Sequence, residues 1–257
     1  FHFHGVNQNN HQGRLSNIIK IVDNHIKQPK GTIDPLHLNV VAVIPIKGLC
    51  KKIKNKYLIE YTIKNLKESQ YVKKIFVSTD NEKTRRIAKK FGAETPFLRV
   101  KKYSKPEINL ETVQQYTLFQ LEKNNIFPDL FLHLQETFPF RDIKLIDSMI
   151  NKLLNDGLDS IVAAKREINY VWKDKKDKFF TRIDSGDVPR KFKEVSMIGY
   201  PGLACITYPE FVRNRNLLGK NIGLFEVKNQ LSFIEVRDKY TYDLAGDLLS
   251  DFQKYFK

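Results

Sequence analysis

FLHLQETFPFR, residues 131–141, decides how this chain reads. The apolar run Phe131-Leu132-His133-Leu134 stops at Gln135, and Thr137, Pro139 and Arg141 follow within one turn. A strand covered on both faces carries such a run, and its polar successors stand where the sheet can no longer cover them. Ligands of open α/β sheets bind at those carboxyl ends. His133 lies inside the run and reads as a hydrogen-bonded core histidine rather than a catalytic one.

Working outward, strand-like and helix-like segments alternate. Leu38 to Ile46 reads as a buried strand and Tyr57 to Ser69 as a helix. Lys74 to Ser78 follows as a second strand, ended by Thr79-Asp80. Helices are expected at Asn81 to Phe91, closed by Gly92, and at Leu110 to Asn124. After the Phe131 strand come a helix over Ile143 to Leu154, a strand over Ser160 to Ala164 and a closing helix from about Tyr242. That alternation predicts an α/β fold with a mostly parallel sheet. Tyr170 to Phe192 breaks the pattern with short strands and charged turns, and reads as a protruding flap (about 168–196) on a domain spanning 39–257. Trp172, Phe179 and Phe180 are expected to pack in the flap or in a dimer interface. Asp80 is expected to cap the helix after it.

Residues 1–38 read as a polar leader. They hold five of the six histidines, His2, His4, His11, His25 and His37, and a short helix from Leu15 broken by Pro29, Gly31 and Pro35. His2 and His4 could bind a metal if a carboxylate converged on them; the other reading is a leader packed on the domain. The chain starts at Phe1, so it is expected to begin inside a longer precursor.

Net charge is +15, from 44 basic and 29 acidic residues. The lysines are scattered, and no helix-turn-helix, zinc-finger spacing or aromatic RNA-binding strand accompanies them, so nucleic acid is not the expected partner. The same field would attract a small anion. Cys50 and Cys205 make no disulfide framework, which points to a reducing compartment. No membrane span or signal peptide is evident, and the expected location is cytoplasmic.

Five segments, in order, resemble the CMP-sugar-acid synthetases, the cytidylyltransferases of sialic-acid and Kdo type. They are VVAVIPIKGLCKKI from residue 40, VKKIFVSTDNEKTRRIAKKFGAETPFLR from residue 72, LQETFPFR from residue 134, GLDSIVAA from residue 157 and IEVRDKYTYDLAGDLL from residue 234. The resemblance implies a Rossmann-like nucleotidyltransferase fold, often dimeric through a flap. It implies transfer of CMP from CTP to an acidic sugar with release of pyrophosphate, a magnesium-assisted phosphoryl transfer that rests on positioning and electrostatics.

By the same resemblance, Lys47, Gln135 and Arg141 are the expected catalytic residues. Gly48, Lys51, Lys52, Asn55 and Thr137 would bind the nucleotide, with Asn55 or Lys56 standing for a loop residue of the family. Arg190, Lys191 and Arg237 would meet the acceptor or its phosphate, and Glu235 would hold magnesium. The chain departs from the family pattern in several places. Its first loop is shorter, and Lys47 replaces an arginine that could bind bidentately. Glu136 replaces a proline, Tyr200-Pro201-Gly202 replaces Asn-Gly-Ser, and Glu235-Val236-Arg237 stands where the family has Asp-x-Asp. The last segment is expected to be a strand, with Asp238 facing away from Arg237. Either Glu235, the triphosphate and water share the metal, or the domain binds a nucleotide or partner without turnover. A nucleotidyltransferase of other specificity, or a glycosyltransferase, is the remaining reading.

Overall fold

A strand that is apolar at every position needs cover on both faces, and β1 (Val40–Ile46) has it: all but Pro45 are buried. The computed structural model describes residues 34–255 except 176–178 and 185–187; the side chains of Arg190 and of residues 250–255 are also outside it. The leader readings at His2, His4, His11 and His25 therefore lie outside the described residues. A 3-10 turn at Pro35–His37 leads into β1.

The strands after β1 are β2 (Lys52–Ile53), β3 (Lys56–Tyr57), β4 (Val72–Thr79), β5 (Leu130–His133) and β6 (Ser160–Glu167). They continue as β7 (Trp172–Asp174), β8 (Phe180–Arg182), β9 (Ser196–Gly199), β10 (Cys205–Thr207) and β11 (Ile222–Glu226). The helices are α1 (Leu58–Lys67), α2 (Glu82–Lys90), α3 (Leu110–Lys123), α4 (Leu145–Asn155), α5 (Pro209–Arg213) and α6 (Lys239–Tyr255). The main sheet runs β11-β6-β10-β5-β1-β4, with β9 pairing β6. β4, β1 and β5 are mutually parallel, as are β6 and β11, whereas β10 and β9 run antiparallel to their neighbours. The mixed, mostly parallel sheet is the expected class. Sequence periodicity had not resolved β9, β10, β11 or α5, whose short runs carry too few residues to show a period.

Side chains alternate across the sheet as the pleat requires. Val40, Ala42, Ile44 and Ile46 face α1, α2 and α4 with Leu130, Leu132 and Leu134; Val41, Val43, Phe76 and Phe131 face α3 and α5. A third cluster joins Ile53 of the β2–β3 hairpin to Leu58, Phe140, Val236, Ala245 and Leu249, so α6 braces that hairpin. After β1 the chain crosses by α1 to β4, while after β5 it leaves the other way towards β6. Loops that diverge from adjacent parallel strands leave a crevice at their carboxyl ends, here between Ile46 and His133.

Two expected elements differ. Residues 234–237 form no strand: a 3-10 turn at Gln230–Phe233 precedes them, and Asp238 instead caps α6, its Oδ1 accepting from Thr241 N at 2.8 Å. Asn81, not Asp80, caps α2, its Oδ1 accepting from Thr84 N at 3.0 Å.

His133 is a core residue. Its Nδ1 lies 2.6 Å from Gln114 Nε2, and burial together with the nearby Arg141 charge pushes its pKa down to about 3. It is neutral when folded but takes up a proton when unfolded below about 6.5, so its contribution to stability is lost as pH falls from about 6.5 towards 3. Glu136 acts with the opposite sign, because burial raises its pKa to about 7 and acid then favours the fold. Comparing wild type with His133→Leu isolates the histidine. Urea unfolding from pH 7 to pH 4 should show wild type losing a few kcal/mol relative to the variant, roughly the linkage of a shift of this size; parallel curves would count against it.

Candidate active site

The crevice floor is built around two buried arginines. Arg141 is 4% exposed. Its Nε donates to Leu203 O at 2.7 Å, Nη2 to Gln135 O at 3.0 Å and Nη1 to Thr62 Oγ1 at 3.3 Å. Asn65 Nδ2 returns a bond to Arg141 O at 3.0 Å. Burial lowers the Arg141 pKa to about 9, which leaves it cationic at neutral pH. With all three guanidinium nitrogens engaged inside the fold, it positions Gln135 rather than facing the crevice. Arg99, 3% exposed, does the same between β1 and β4: Nη2 donates to Ile46 O at 3.0 Å, Nη1 to Ser78 O at 2.9 Å and Nε to Ser104 Oγ at 3.0 Å. Sequence reasoning quoted Arg99 within a motif without giving it a role. The only signal was an arginine ending an apolar turn.

The first loop leaves β1 at exposed Lys47 and turns at Gly48, whose φ of +69° favours glycine. Gly48 N donates to Asp80 Oδ1 at 2.8 Å. Thr84 Oγ1 donates to Gly48 O at 2.8 Å and accepts from Cys50 N at 2.9 Å. Burial alone would raise the Asp80 pKa; hydrogen bonds, led by Gly48 N–H, and the Arg99 charge hold it below the usual range. Lys51, Lys52, Lys54, Asn55 and Lys56 are all exposed. The tight β2–β3 turn places Lys54 at φ +50° and Asn55 at its tip.

At the strand end, Gln135 is half-buried and its N–H donates to Gly202 O at 2.8 Å. A Cβ at Gly202 would stand 2.8 Å from Gln135 Oε1 and from Phe138 Cε2, so the approach itself demands glycine there. Glu136 turns inward, 8% exposed, and lies against Lys51, whose backbone N–H and ammonium both favour its charged form. Thr137 Oγ1 donates to Glu235 Oε1 at 3.1 Å, and Val236 N donates to Thr137 O at 2.8 Å. These contacts draw the Lys47–Lys51 loop, the Gln135 strand end and Glu235 to one place.

Glu235 is not open to a cation as it stands. Its Oε2 lies 2.6 Å from Arg237 Nε, and its Oε1 accepts from Thr137. With both oxygens engaged by an arginine and a threonine, the Glu235 carboxylate does not fit a resident magnesium, and among the described residues no group of three metal-ligating side chains stands in for it. Arg237 keeps 71% of its side chain exposed, leaving nitrogens beyond Nε for an anion. Lys191 sits exposed in the flap, its ammonium 4.7 Å from the Phe192 ring, on the 3-10 turn Arg190–Phe192; the Arg190 side chain lies outside the described residues.

A strand-end crevice between diverging parallel strands, lined by a basic loop, is the ligand-site geometry of an open α/β protein. The sequence profile of the cytidylyltransferase family matches residues 44–197, more than half the chain, and the chain belongs to that family. It is 26% identical over 132 residues to a pseudaminic acid cytidylyltransferase of Campylobacter jejuni, covering 48% of this chain and 57% of that protein. It is 30% identical over 112 residues to the CMP-N,N'-diacetyllegionaminic acid synthase of Legionella pneumophila, covering 40% and 48%. It thus spans about half the length of these curated relatives. The fold superimposes on a CMP:2-keto-3-deoxy-manno-octonic acid synthetase solved with CTP, with a TM-score of 0.63 at 14% identity over 83% of this chain and 99% of that one. It also superimposes on a 4-diphosphocytidyl-2C-methyl-D-erythritol synthase from Anaerococcus prevotii, with a TM-score of 0.61 at 13% identity, covering 84% and 100%.

Replacing Arg141 with Gln should cost roughly 2–4 kcal/mol by urea unfolding, because Leu203 O and Gln135 O lose a charged donor inside the fold. A variant as stable as wild type would show that the guanidinium is not a brace.

Proposed function

We propose that this protein transfers CMP from CTP to the hydroxyl of an acidic sugar of the sialic-acid type, releasing pyrophosphate. The observation that carries this reading is the convergence of the basic first loop with Gln135 and Thr137 at one strand end, in a chain whose named relatives make CMP-sugar acids. Lys47, Lys51 and Lys52 supply positive charge to the triphosphate from the loop, a role lysine fills as a point charge. The half-buried Gln135 amide orients the α-phosphate or the attacking hydroxyl. Arg237 offers its outer nitrogens to a phosphate or to the acceptor carboxylate, held in place by Glu235. Lys191, with Arg190 beside it in sequence, serves the acceptor from the flap. Magnesium enters as part of the nucleotide complex, in the compartment that holds CTP. Exposed Trp172, Phe180 and Phe192 on the flap fit contact with a second copy.

A second reading follows from one observation: the Glu235–Arg237 pair fills the place expected of a metal seat. In that case the domain binds a nucleotide and does not turn it over.

Pyrophosphate release from Mg·CTP with sialic-acid-like and Kdo-like sugars tests both. Turnover is expected. CTP binding without turnover across the panel selects the second reading, and absence of CTP binding removes both. Gln135→Ala should cut turnover by about 100-fold, the scale of a lost positioning group, with an unchanged urea midpoint; unchanged turnover removes Gln135 from the reaction. Phe180→Glu with Trp172→Glu should convert a dimer to a monomer in analytical ultracentrifugation, and a wild-type monomer would count against the flap contact.

A further inference from the structure

Three N–H groups of the first loop already face this chain's own side chains before any ligand arrives. Asp80 takes the Gly48 N–H, Thr84 takes the Cys50 N–H, and the Glu136 carboxylate lies against the Lys51 N–H and ammonium. Two of those three groups are carboxylates. A loop whose amides and lysines bind phosphate oxygens is here already bound to oxygens of like charge.

Glu136 differs from Asp80 in how it is held. Asp80 has the Arg99 guanidinium beside it, Nη2 lying 3.9 Å from Oδ1, and its carboxylate is well satisfied. Glu136 is 8% exposed, and its Oε2 is buried without a hydrogen-bond partner. Among the described residues, the groups that favour its charged form are the Lys51 amide and the Lys51 ammonium; burial outweighs them and raises its pKa to about 7. A buried carboxylate with one idle oxygen is costly to keep ionised. Its position between Gln135 and Thr137, at the mouth of the crevice, is where an incoming phosphate would compete for Lys51.

We propose that Glu136 is an internal stand-in for a ligand phosphate, occupying the Lys51 end of the loop until a polyphosphate displaces it. The proposal rests on the nucleotide reading above and adds a device to it. The Glu136 side chain holds the loop in its empty form, and its charge sets a threshold for anion entry. The ligand class is a polyphosphate chain, with or without a nucleoside. Glu136→Gln keeps the shape and an oxygen acceptor for Lys51 N–H while removing the repulsion.

Two probes keep this inference separate from the nucleotide reading: inorganic triphosphate for the gate and CTP for the nucleotide. By isothermal titration calorimetry at a pH well above the Glu136 pKa of about 7, where the wild-type carboxylate is charged, Glu136→Gln should bind inorganic triphosphate about 10-fold tighter than wild type, on the scale of one relieved like-charge contact. The ratio should persist at high salt, because displacement at contact is screened little, whereas a through-space effect of the charge would fade. Equal or weaker binding by the variant overturns the proposal, as does a gain that disappears in high salt. A gain for inorganic triphosphate with no preference for CTP in either protein supports the gate and rejects the nucleotide reading. CTP binding with no gain does the reverse. Urea midpoints of the two proteins establish that both are folded, and Glu136→Asp, which restores the charge, should return affinity towards wild type.

Discussion

The site depends on a guanidinium sealed away from water. Arg141 ties the carbonyl of Gln135 at the end of β5 to that of Leu203 before β10 and to Thr62 on α1, three segments far apart in sequence. Its partners are carbonyl and hydroxyl oxygens, dipoles rather than a countercharge, so burial weakens the proton's hold without removing it. The retained charge also helps to keep His133 neutral beneath the strand end. Arg99 repeats the device one strand over, joining Ile46 O to Ser78 O. Backbone carbonyls at strand ends have lost their ladder partners, and a planar cation with several donors can satisfy more than one of them at once. The crevice floor is cross-braced for that reason.

Above this floor the chain handles charge differently from what its family resemblance implies. An arginine sits against the one carboxylate expected to hold a metal, and a buried glutamate occupies the loop expected to receive phosphate. Both changes act on the same quantity, the local balance between fixed cations and anions that a polyphosphate must enter. On the reading proposed above, Arg237 adds a permanent positive group beside Glu235, while Glu136 opposes entry at the loop. The long-range field of a chain with net charge +15 draws anions in. Contacts within a few ångströms then decide which of them stay.

Much of the fold was legible in sequence. The run Val40–Ile46 reads as a doubly covered strand because every second residue on either face is apolar, and α1, α3 and α4 show helical spacing over ten or more residues. β10 is only three residues long, and its antiparallel insertion between β5 and β6 is a choice of partner that no local pattern encodes. Residues 234–237 carry strand-like alternation yet stay outside the sheet, because Val236 N bonds to Thr137 O and Val236 packs with α6. For the same kind of reason Asn81 displaced Asp80 as the cap: Asp80 was taken by Gly48 of the loop after the neighbouring strand β1.

Sequence alone determined the class of fold, the buried strand that ends at Gln135, and the residue types available there, because periodicity and local motif are properties of neighbours along the chain. Only the tertiary structure decided that Arg141 is a brace and not a reagent, that Glu235 is already paired, and that Glu136 faces the loop. Those assignments depend on burial and on contacts such as Arg141 with Leu203 and Thr137 with Glu235, whose partners lie 62 and 98 residues apart in sequence. Charge and hydrogen bonding act through space over a few ångströms, and the order of residues does not specify which groups the fold brings within that range.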